Sequence, residues 1–541
     1  MAFRNPDTRR PAGRLAGGPS ASSNQRIANN APNPSAAEIQ KLARPRRRVL
    51  HPMNPFLAYQ AALSRRQFFS RSATGIGTAA LASLLHRDLG AAAGAPAAAQ
   101  MPRLPDLPHH APKAKRVIYL FQNGAPTHAD LFDYKPQLTA LHGKPVPDEY
   151  VAGKRFSTMT GVATGKLLLA PVEPFQQHGK SGAWVSAFMP FTASIADDLC
   201  FIKSMHTEAV NHAPGISFLL SGAQIPGRPT LGAWLSYGLG CEADTLPSFT
   251  VMTSVSRGTS CGQIFYDFYW GSGFLPSKYQ GVKFRGSGEP VLYLGNPEGV
   301  SPAVRRGILD DLAQLNEIKL REAGDPEIAT RIAQYEMAYR MQTSVPELTD
   351  LSNEPQHVLD MYGPDVKQQG TFAYNCLMAR RLVERGVRFV QLMHAGWDQH
   401  NSLNTELYNQ CRDTDQPSAA LVKDLKQRGL LDDTLVIWGG EFGRTPFLQG
   451  NLADRKRWGR DHHPYAFTVW MAGGGVKPGI SYGESDDLAM NVAKDPVHVH
   501  DFQATLLHLL GIDHEKLTFK FQGRYFRLTD VHGEVVRAVL A

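Results

Sequence analysis

Residues 371–400 read TFAYNCLMARRLVERGVRFVQLMHAGWDQH, and this stretch contains the repeating unit that predicts the fold. The apolar spacing of Thr371–Arg385 is typical of a helix, which Gly386 then breaks. Val387–Met393 is a mostly hydrophobic run, typical of a strand buried on both faces of a parallel sheet. The same order of helix, glycine, hydrophobic strand and polar residues recurs around Thr434–Trp438. We therefore predict an α/β fold with a mostly parallel sheet flanked by helices, in a single large domain.

Residue types that bind metals stand at the ends of these strands. Asp398 and His400 follow the first strand, and because residues two apart on an extended chain point the same way, both side chains would aim at one point. Glu441 follows Gly439-Gly440 at the end of the next strand. Zinc, manganese and iron accept imidazole and carboxylate ligands, and calcium is a further candidate. The alternative for the first pair is a helix-capping aspartate beside a surface histidine.

Two neighbouring histidines, His462 and His463, precede a third predicted strand, Tyr465–Met471. Adjacent residues of an extended chain face opposite ways, so we expect only one of the two imidazoles to bind a metal. Because ligands bind in the crevice at the strand ends of open α/β sheets, these segments predict a divalent metal site there.

Other residues near the strand ends each allow a functional and a structural interpretation. Arg444 could clamp a phosphate or sulfate with two hydrogen bonds, or could pair with a nearby carboxylate. After the first strand, Asn123 and Asp130 could offer oxygen ligands to a metal, and Thr127 could be a nucleophile. The alternative for this segment is ordinary turn chemistry, because Asn-Gly and Ala-Pro both favour turns.

The basic composition is weak evidence for nucleic-acid binding. The chain has 57 Lys and Arg against 49 Asp and Glu, a formal charge of +8. Much of this excess lies in residues 1–52, which are rich in Pro, Arg, Ser and Asn and have almost no aliphatic pattern. We interpret this segment as disordered or as an over-called translation start before Met53. No basic stripe with interleaved aromatic residues appears in the rest of the chain, so we expect no nucleic-acid partner.

Residues 53–100 have the pattern of a twin-arginine export signal. Ser64-Arg65-Arg66-Gln67-Phe68-Phe69 precedes a modest apolar run, Ala73–Leu85, and small residues follow at Ala91–Ala99. The alternative is an ordinary Arg-Arg pair before a helix. The pattern predicts the twin-arginine export machinery as a partner, and a periplasmic or cell-envelope location. Contact with the membrane is expected only through an uncleaved signal.

A Pro-rich linker, residues 101–115, is predicted to precede one domain over 116–541. Within it, Leu246–Gly299 is rich in Gly, Ser, Tyr and Phe, and we interpret it as an irregular insertion beside the site. A helix is predicted over Pro417–Arg428, and Asp501 is predicted to cap the helix that ends near Leu510. The five cysteines have no CxxC spacing, which argues against a zinc ribbon.

At the level of motifs, the chain resembles enzymes of the alkaline phosphatase and sulfatase type. More closely it is similar to the DUF1501 family, exported bacterial proteins of that superfamily, over nearly all of Arg116–Ala541. The motifs that carry this resemblance are the twin-arginine start and FQNGAPTHADLFDYKP, HAGWDQH, GGEFGRTP, GRDHHP and GRYFRLTDVHGEVV. The resemblance implies an alkaline-phosphatase-like sheet and a metal-dependent esterase.

The chain also departs from the sulfatase pattern. His212 stands where a sulfatase has its Cys or Ser, with no Cys-x-Pro-x-Arg motif, and Asn123 replaces the usual Asp after the first strand. Glu441-Phe442 replaces the usual Asp-His pair. The first metal site of the pattern, with Asp398, His400 and His462 or His463, is the better preserved. The nucleophile is left open between water, His212 and Thr127.

These features predict an exported, metal-dependent hydrolase of phosphate or sulfate esters, acting on a small-molecule or polysaccharide anionic ester. In this hypothesis the metal polarises the ester and activates a water molecule. Glu441 completes the metal site or acts as a base, and Arg444 holds the anion. The alternative is a non-catalytic exported protein on the same scaffold that binds an anionic polysaccharide, which the missing nucleophile motif favours.

Overall fold

The computed structural model describes residues 101–254, 256–258, 265–291 and 294–541. The predictions for residues 1–52 and 53–100 lie outside the described residues. Within these ranges the chain from residue 101 belongs to one compact unit. No helix of the described ranges combines the length and the apolar character that a membrane crossing requires.

A nine-stranded sheet forms the centre of this unit. Its strands are Arg116–Asn123 (β1), Cys200–His206 (β2), Phe249–Ser254 (β3), Val282–Phe284 (β4), Phe389–Ala395 (β5), Thr434–Gly439 (β6), Phe467–Ala472 (β7), Ile480–Tyr482 (β8) and Val497–His498 (β9). The strand order is β8-β2-β7-β6-β1-β5-β3-β4, with β9 paired to β2. Only β7 runs antiparallel to its neighbours, so the sheet is mostly parallel, as predicted.

Strand β1 lies near the middle of the sheet and is buried on both faces. Ile118 and Leu120 join one hydrophobic cluster, whereas Val117, Tyr119 and Phe121 join the other. This alternation follows from the two-residue period of a strand, and it explains why the segment is hydrophobic almost without interruption.

Helices cover both faces of the sheet. Thr371 caps the helix before β5, because its hydroxyl accepts a hydrogen bond from Tyr374 N at 3.1 Å. The helices are His128–Leu131 (α1), Pro136–Ala140 (α2), Asp148–Val151 (α3), Pro190–Ala193 (α4), His212–Ser221 (α5), Leu231–Leu239 (α6), Pro302–Ala323 (α7), Pro326–Thr349 (α8), Gln356–Tyr362 (α9), Phe372–Glu384 (α10), Leu403–Gln427 (α11) and Val499–Leu509 (α12).

Three local predictions need correction. The segment Leu246–Gly299 is not wholly irregular, because it supplies β3 and β4 to the central sheet. Helix α11 begins at Leu403 and continues through Pro417, since Leu403, Leu407 and Cys411 are buried at four-residue spacing on its inner face. At α12 the cap is His498, whose side chain accepts from His500 N, while Asp501 accepts from the backbone N–H of His498.

The segment 101–115, predicted to be a linker, packs against the domain. Leu107 and Ala114 are buried, and the backbone N–H of Leu104 donates to Gly238 O at 2.8 Å. Lys113 and Ala114 both donate to Leu509 O. These contacts tie the segment to helices α6 and α12.

The register of the central strands places the ends of β1, β5 and β6 side by side. Asn123 at the end of β1 pairs with Ala395 of β5, and Phe121 pairs with Gly439 of β6. The residues that follow each strand therefore share one edge of the sheet. A short antiparallel pair of strands, Gly443–Arg444 with His462–His463, lies next along the chain. The N-terminus of helix α5, which begins at His212, also contributes to the site.

Candidate metal centre

Four side chains from these elements bring one potential metal-ligand atom each to a common point. They are His212 at the start of α5, Asp398 and His400 after β5, and His462 of the short strand pair. Their ligand atoms all lie within 4.8 Å of one another. Asp398 and His462 are buried, whereas the side chains of His212 and His400 keep 16% and 12% of their exposure, so the cluster can be reached from solvent.

The Nε2 atoms of the three imidazoles surround Asp398 Oδ1. The distances to this oxygen are 2.7 Å from His400, 3.2 Å from His212 and 3.3 Å from His462. The Nε2 atoms of His400 and His462 lie 3.2 Å apart. A tetrahedral zinc ion with bonds of about 2.0 Å separates its ligand atoms by about 3.3 Å, and three of these four distances are close to that spacing, while the distance from His400 to Asp398 is shorter.

The second nitrogen of each ring is bound to an acceptor outside the cluster. His212 Nδ1 lies 2.5 Å from Glu441 Oε1, His400 Nδ1 lies 2.6 Å from Gln449 Oε1, and His462 Nδ1 lies 2.8 Å from Val210 O. Metal-binding histidines nearly always donate their other N–H in this way, which fixes the tautomer. With the proton on Nδ1, each neutral ring presents an Nε2 lone pair to the cluster.

The charges of the site support this assignment of protons for His462, whereas they favour a charged ring at His212. Burial lowers the pKa of His462 to about 4, against the opposing hydrogen bond to Asp398, so this ring is neutral at pH 7. Burial alone would also lower the pKa of His212, but its contacts with Asp398 and Glu441 outweigh burial and raise it. Burial would raise the pKa of Asp398, but Arg444 and the three histidines hold it well below its usual range.

Arg444 is the fixed counter-ion of Asp398. Its Nη2 atom lies 2.5 Å from Asp398 Oδ1 and also donates to Gly124 O, while Nε donates to Ala125 O at 3.0 Å. Its Nη1 atom donates to Arg460 O at 3.3 Å. Of the two interpretations of Arg444, a clamp on a phosphate or sulfate and an ion pair with a carboxylate, the structure shows the ion pair.

Glycines allow the strand-end segments to approach one another. Gly124 has φ +112°, and a Cβ there would lie 2.8–2.9 Å from the backbone of Trp397 and Asp398. Its N–H donates to Glu441 Oε1 at 3.1 Å. A Cβ on Gly440 would lie 2.6 Å from Gln122 O. The glycines after β1 and β6 thus let the loops that carry Asp398 and Glu441 pack backbone to backbone.

Residues 114–540 match the family described as "Protein of unknown function (DUF1501)". The chain belongs to the DUF1501 family. The membership predicted from the motifs is thereby confirmed. No curated protein sequence matches the chain.

Solved structures similar to this DUF1501 protein include three esterases. A sulfatase of Pseudoalteromonas sp., PsFucS1, aligns over 74% of this chain and 68% of its own, at 13% identity and a TM-score of 0.29. The phosphonate monoester hydrolase of Agrobacterium radiobacter aligns over 73% and 74%, at 11% identity and a TM-score of 0.32. The alkaline phosphatase of the Antarctic bacterium TAB5 aligns over 70% and 96%, at 12% identity and a TM-score of 0.26. Alignments this distant identify neither a substrate nor a catalytic residue of this chain.

Two predicted site residues of this DUF1501 protein bind each other instead. The Thr127 hydroxyl donates to Asp130 Oδ2 at 2.7 Å, and both side chains are fully buried. Asp130 also accepts from Arg460, at 2.6 Å from Nε and 3.1 Å from Nη2. The structure does not bring either residue into the four-residue cluster, and the roles of Asp130 as a metal ligand and of Thr127 as a nucleophile stay predictions. The pair stabilises the turn after β1.

His463 faces away from the cluster, as the alternation along a strand requires. Its Nε2 atom lies 2.5 Å from Met490 O, and its ring stacks between His128 and Phe156. Burial lowers its pKa to about 3. Of the two adjacent histidines, His462 is therefore the one at the candidate metal centre, and His463 is a core residue.

Glu441 and His212 occupy positions that differ from the roles predicted for them. Glu441, predicted as a metal ligand, is fully buried and orients His212, while His212, predicted as a nucleophile, contributes a ligand atom to the cluster. The predicted ligand Asn123 is 1% exposed, and neither atom of its amide has a hydrogen-bond partner. Its role as a metal ligand stays a prediction.

The sequence did not reveal Gln449 or Val210 as partners of the histidines. Val210 acts through its carbonyl, which any residue would offer, and Gln449 lies in a two-residue strand, Gln449–Gly450, that pairs with Trp458–Gly459 and has no pattern of its own in the sequence. Asp461, adjacent to His462, accepts from Ser157 at 2.5 Å and from Thr160, and so anchors a loop beside His400. Its place directly before two histidines was the only signal available.

Proposed function

We propose that this DUF1501 protein is a metal-dependent hydrolase of phosphate or sulfate esters. One observation carries the proposal: three imidazoles, whose Nδ1 atoms contact acceptors outside the cluster, direct their Nε2 atoms at one carboxylate oxygen. Arg444 already contacts this oxygen from one side, and a metal ion would use the three Nε2 lone pairs on the other. His212, Asp398, His400 and His462 would hold that cation.

The donor set favours a transition metal. Three nitrogen atoms and one oxygen atom suit zinc, manganese or iron, whereas calcium takes oxygen ligands, so calcium fits this site poorly. A bound divalent metal of this kind supplies Lewis acidity, which polarises an ester oxygen and lowers the pKa of water.

The remaining residues of the site hold the ligands in place. Glu441 fixes the ring orientation of His212, and Arg444 fixes the carboxylate of Asp398. The lone pair of His212 Nε2 serves the cluster and is therefore not also a nucleophile, and the Thr127 hydroxyl is occupied by Asp130. Water is the nucleophile in this proposal, and it reaches the cluster past the partly exposed rings of His212 and His400.

The first test is the metal content of the full chain purified without chelators. We expect one equivalent of zinc, manganese or iron, and turnover of aryl phosphate or aryl sulfate with that metal. Asp398→Asn keeps an oxygen for Arg444 but removes the charge, so it should lose both metal and turnover. A metal-free wild type that also fails to take up metal on reconstitution would contradict the proposal.

A binding protein for anionic polysaccharide is the second candidate. It is favoured because Arg444 and Thr127, the residues expected to hold and attack an ester, are both occupied by protein partners. Binding of sulfated polysaccharide by a metal-loaded protein that turns over neither aryl ester would support this candidate against the hydrolase.

We also propose that the protein acts outside the cytoplasmic membrane, supported by the twin-arginine pattern at Ser64–Phe69. Replacing Arg65 and Arg66 together by Lys should retain the protein in the cytoplasmic fraction of expressing cells. A periplasmic location that persists in this variant would exclude twin-arginine export.

A further inference from the structure

We infer that the amide of Asn123 is a hydrogen-bond donor to the anionic group of the bound ester, rather than a metal ligand. The inference rests on the proposed function and adds a residue that recognises the substrate. Asn123 ends β1, directly before Gly124, whose N–H contacts Glu441. Its backbone oxygen accepts from Trp397 N, one residue before Asp398. It therefore lies between the segments that carry the candidate metal ligand and the orienting carboxylate.

Among the described residues, Asn123 is the one amide side chain with both polar atoms buried and without a hydrogen-bond partner. Only 1% of the residue is exposed, and both Oδ1 and Nδ2 have no hydrogen-bond partner. A buried amide without partners costs folding free energy, and native proteins seldom keep one without a reason. A leucine or alanine would avoid that cost, so the amide is better explained by a ligand that it contacts.

The site needs such a donor if it binds an anion. Arg444 directs Nε, Nη1 and Nη2 to carbonyl groups and to Asp398. The other buried guanidinium, on Arg460, is bound to Asp130 and to the carbonyl groups of Thr445, Leu169 and Ala170. Among the described side chains, the two N–H groups of Asn123 Nδ2 are therefore buried amide donors beside the cluster that no protein group occupies.

Charge argues for the same role. The carboxylates of Asp398 and Glu441 both lie in the site, and a negatively charged ester approaching them is repelled unless neutral or positive donors meet it. A neutral amide at position 123 supplies N–H groups without adding a third carboxylate beside Glu441. An aspartate there would strengthen metal binding but would oppose an anion.

The opposite effects of an aspartate on metal and on anion define the test. The full chain and its variants are loaded with metal, and binding of inorganic phosphate and of sulfate is measured by calorimetry, with metal content and melting temperature measured in parallel. We expect Asn123→Ala to weaken anion binding by about 10- to 100-fold, the usual loss for a hydrogen bond to a charged group. Asn123→Asp should weaken it further, and neither variant should lose metal.

A matched control separates recognition from a structural role. Asn491 Nδ2 donates to Asp486 at 2.8 Å and to Tyr150 O, outside the cluster. Asn491→Ala should lower the melting temperature and leave anion binding unchanged, whereas Asn123→Ala should leave the melting temperature unchanged or raise it. Unaltered anion binding in Asn123→Ala, or loss of its metal, would overturn the inference alone. A metal-loaded wild type that binds neither anion would overturn the proposed function as well.

Discussion

The Nε2 atoms of His400 and His462 face each other at 3.2 Å, and an acceptor contacts the Nδ1 atom of each ring. A divalent ion bound beside the two Nε2 atoms would use both of their lone pairs as ligands. This contact joins the loop after β5 to the short strand pair that follows β6, so the candidate metal centre depends on the tertiary fold.

The adjacent histidines provide a matched pair of variants. Mutating a residue that supports a metal ligand usually lowers metal affinity by roughly 10–100-fold. His462→Gln removes a ligand itself, so we expect a loss at least as large. His463→Gln, one residue away, should retain metal because its ring faces the core. Elemental analysis of both proteins decides this, and equal metal content in the two would contradict the assignment.

Glu441→Gln tests the orienting role of the buried carboxylate. An amide oxygen is a weaker acceptor for His212 Nδ1 than a carboxylate, so we expect metal affinity to fall by roughly 10–100-fold with the fold retained. A competitive chelator titration measures the change. Metal affinity equal to that of the wild type would show that His212 needs no such support.

Asp130→Ala should destabilise the fold without touching the metal centre. The substitution leaves Arg460 buried without its carboxylate, and breaking a buried ion pair costs about 3–5 kcal/mol. Denaturant unfolding measures the loss, and metal per folded molecule should be unchanged. If Asp130→Ala instead stays stable and loses metal, the prediction of Asp130 as a ligand is supported.

Gly124→Ala should disturb the centre through the backbone of Trp397 and Asp398. Gly153 also has a positive φ, +71°, but a Cβ there meets nothing within 4 Å. Gly153→Ala therefore reports the conformational cost alone, about 1 kcal/mol, while Gly124→Ala adds a backbone clash and should also weaken metal binding. Similar melting temperatures and metal contents for the two variants would argue against this close packing.

His394 should make the fold sensitive to acid. Its ring is fully buried between Ser254 and Gln410, and burial lowers its pKa from 6.5 to about 4. The unfolded chain then binds a proton that the folded chain excludes, so stability is complete above pH 6.5 and falls as the pH drops towards 4. The loss is about 3 kcal/mol in total. His394→Gln should show a shallower dependence on pH in this window, and an unchanged dependence would assign the acid sensitivity to other groups.

The sequence was sufficient to predict the strands whose hydrophobic pattern reflects burial on both faces of the sheet. The strands β1, β5 and β6 are mostly hydrophobic, and the positions of Asp398 and His400 followed from the strand end before them. Strand β3 was hidden because its residues, Phe249–Ser254, lie in a segment rich in Gly, Ser and Tyr, and its burial comes from pairing with β5. Local composition does not report such a tertiary partner.

The roles of individual site residues were less accessible. Arg444 and Asp130 are as compatible with catalysis as with an ion pair until the partner is known, and both partners are distant in the chain. The choice between His462 and His463 depended on which face of a two-residue strand meets the cluster. Alternation predicted that the two would differ, but not which one would face the site.

The ligand atoms come from His212, Asp398, His400 and His462, so a single ion would join segments from most of the length of the domain. Such an ion would link these segments in the folded state, and because the site does not exist in the unfolded chain, its binding free energy would add to the stability of the fold. The cysteines of the described residues, Cys200, Cys241, Cys376 and Cys411, are all free. Metal at a thousand times its dissociation constant would add about 4 kcal/mol to the stability of the fold, so removing it should act on this protein as reduction acts on a disulfide-bonded one.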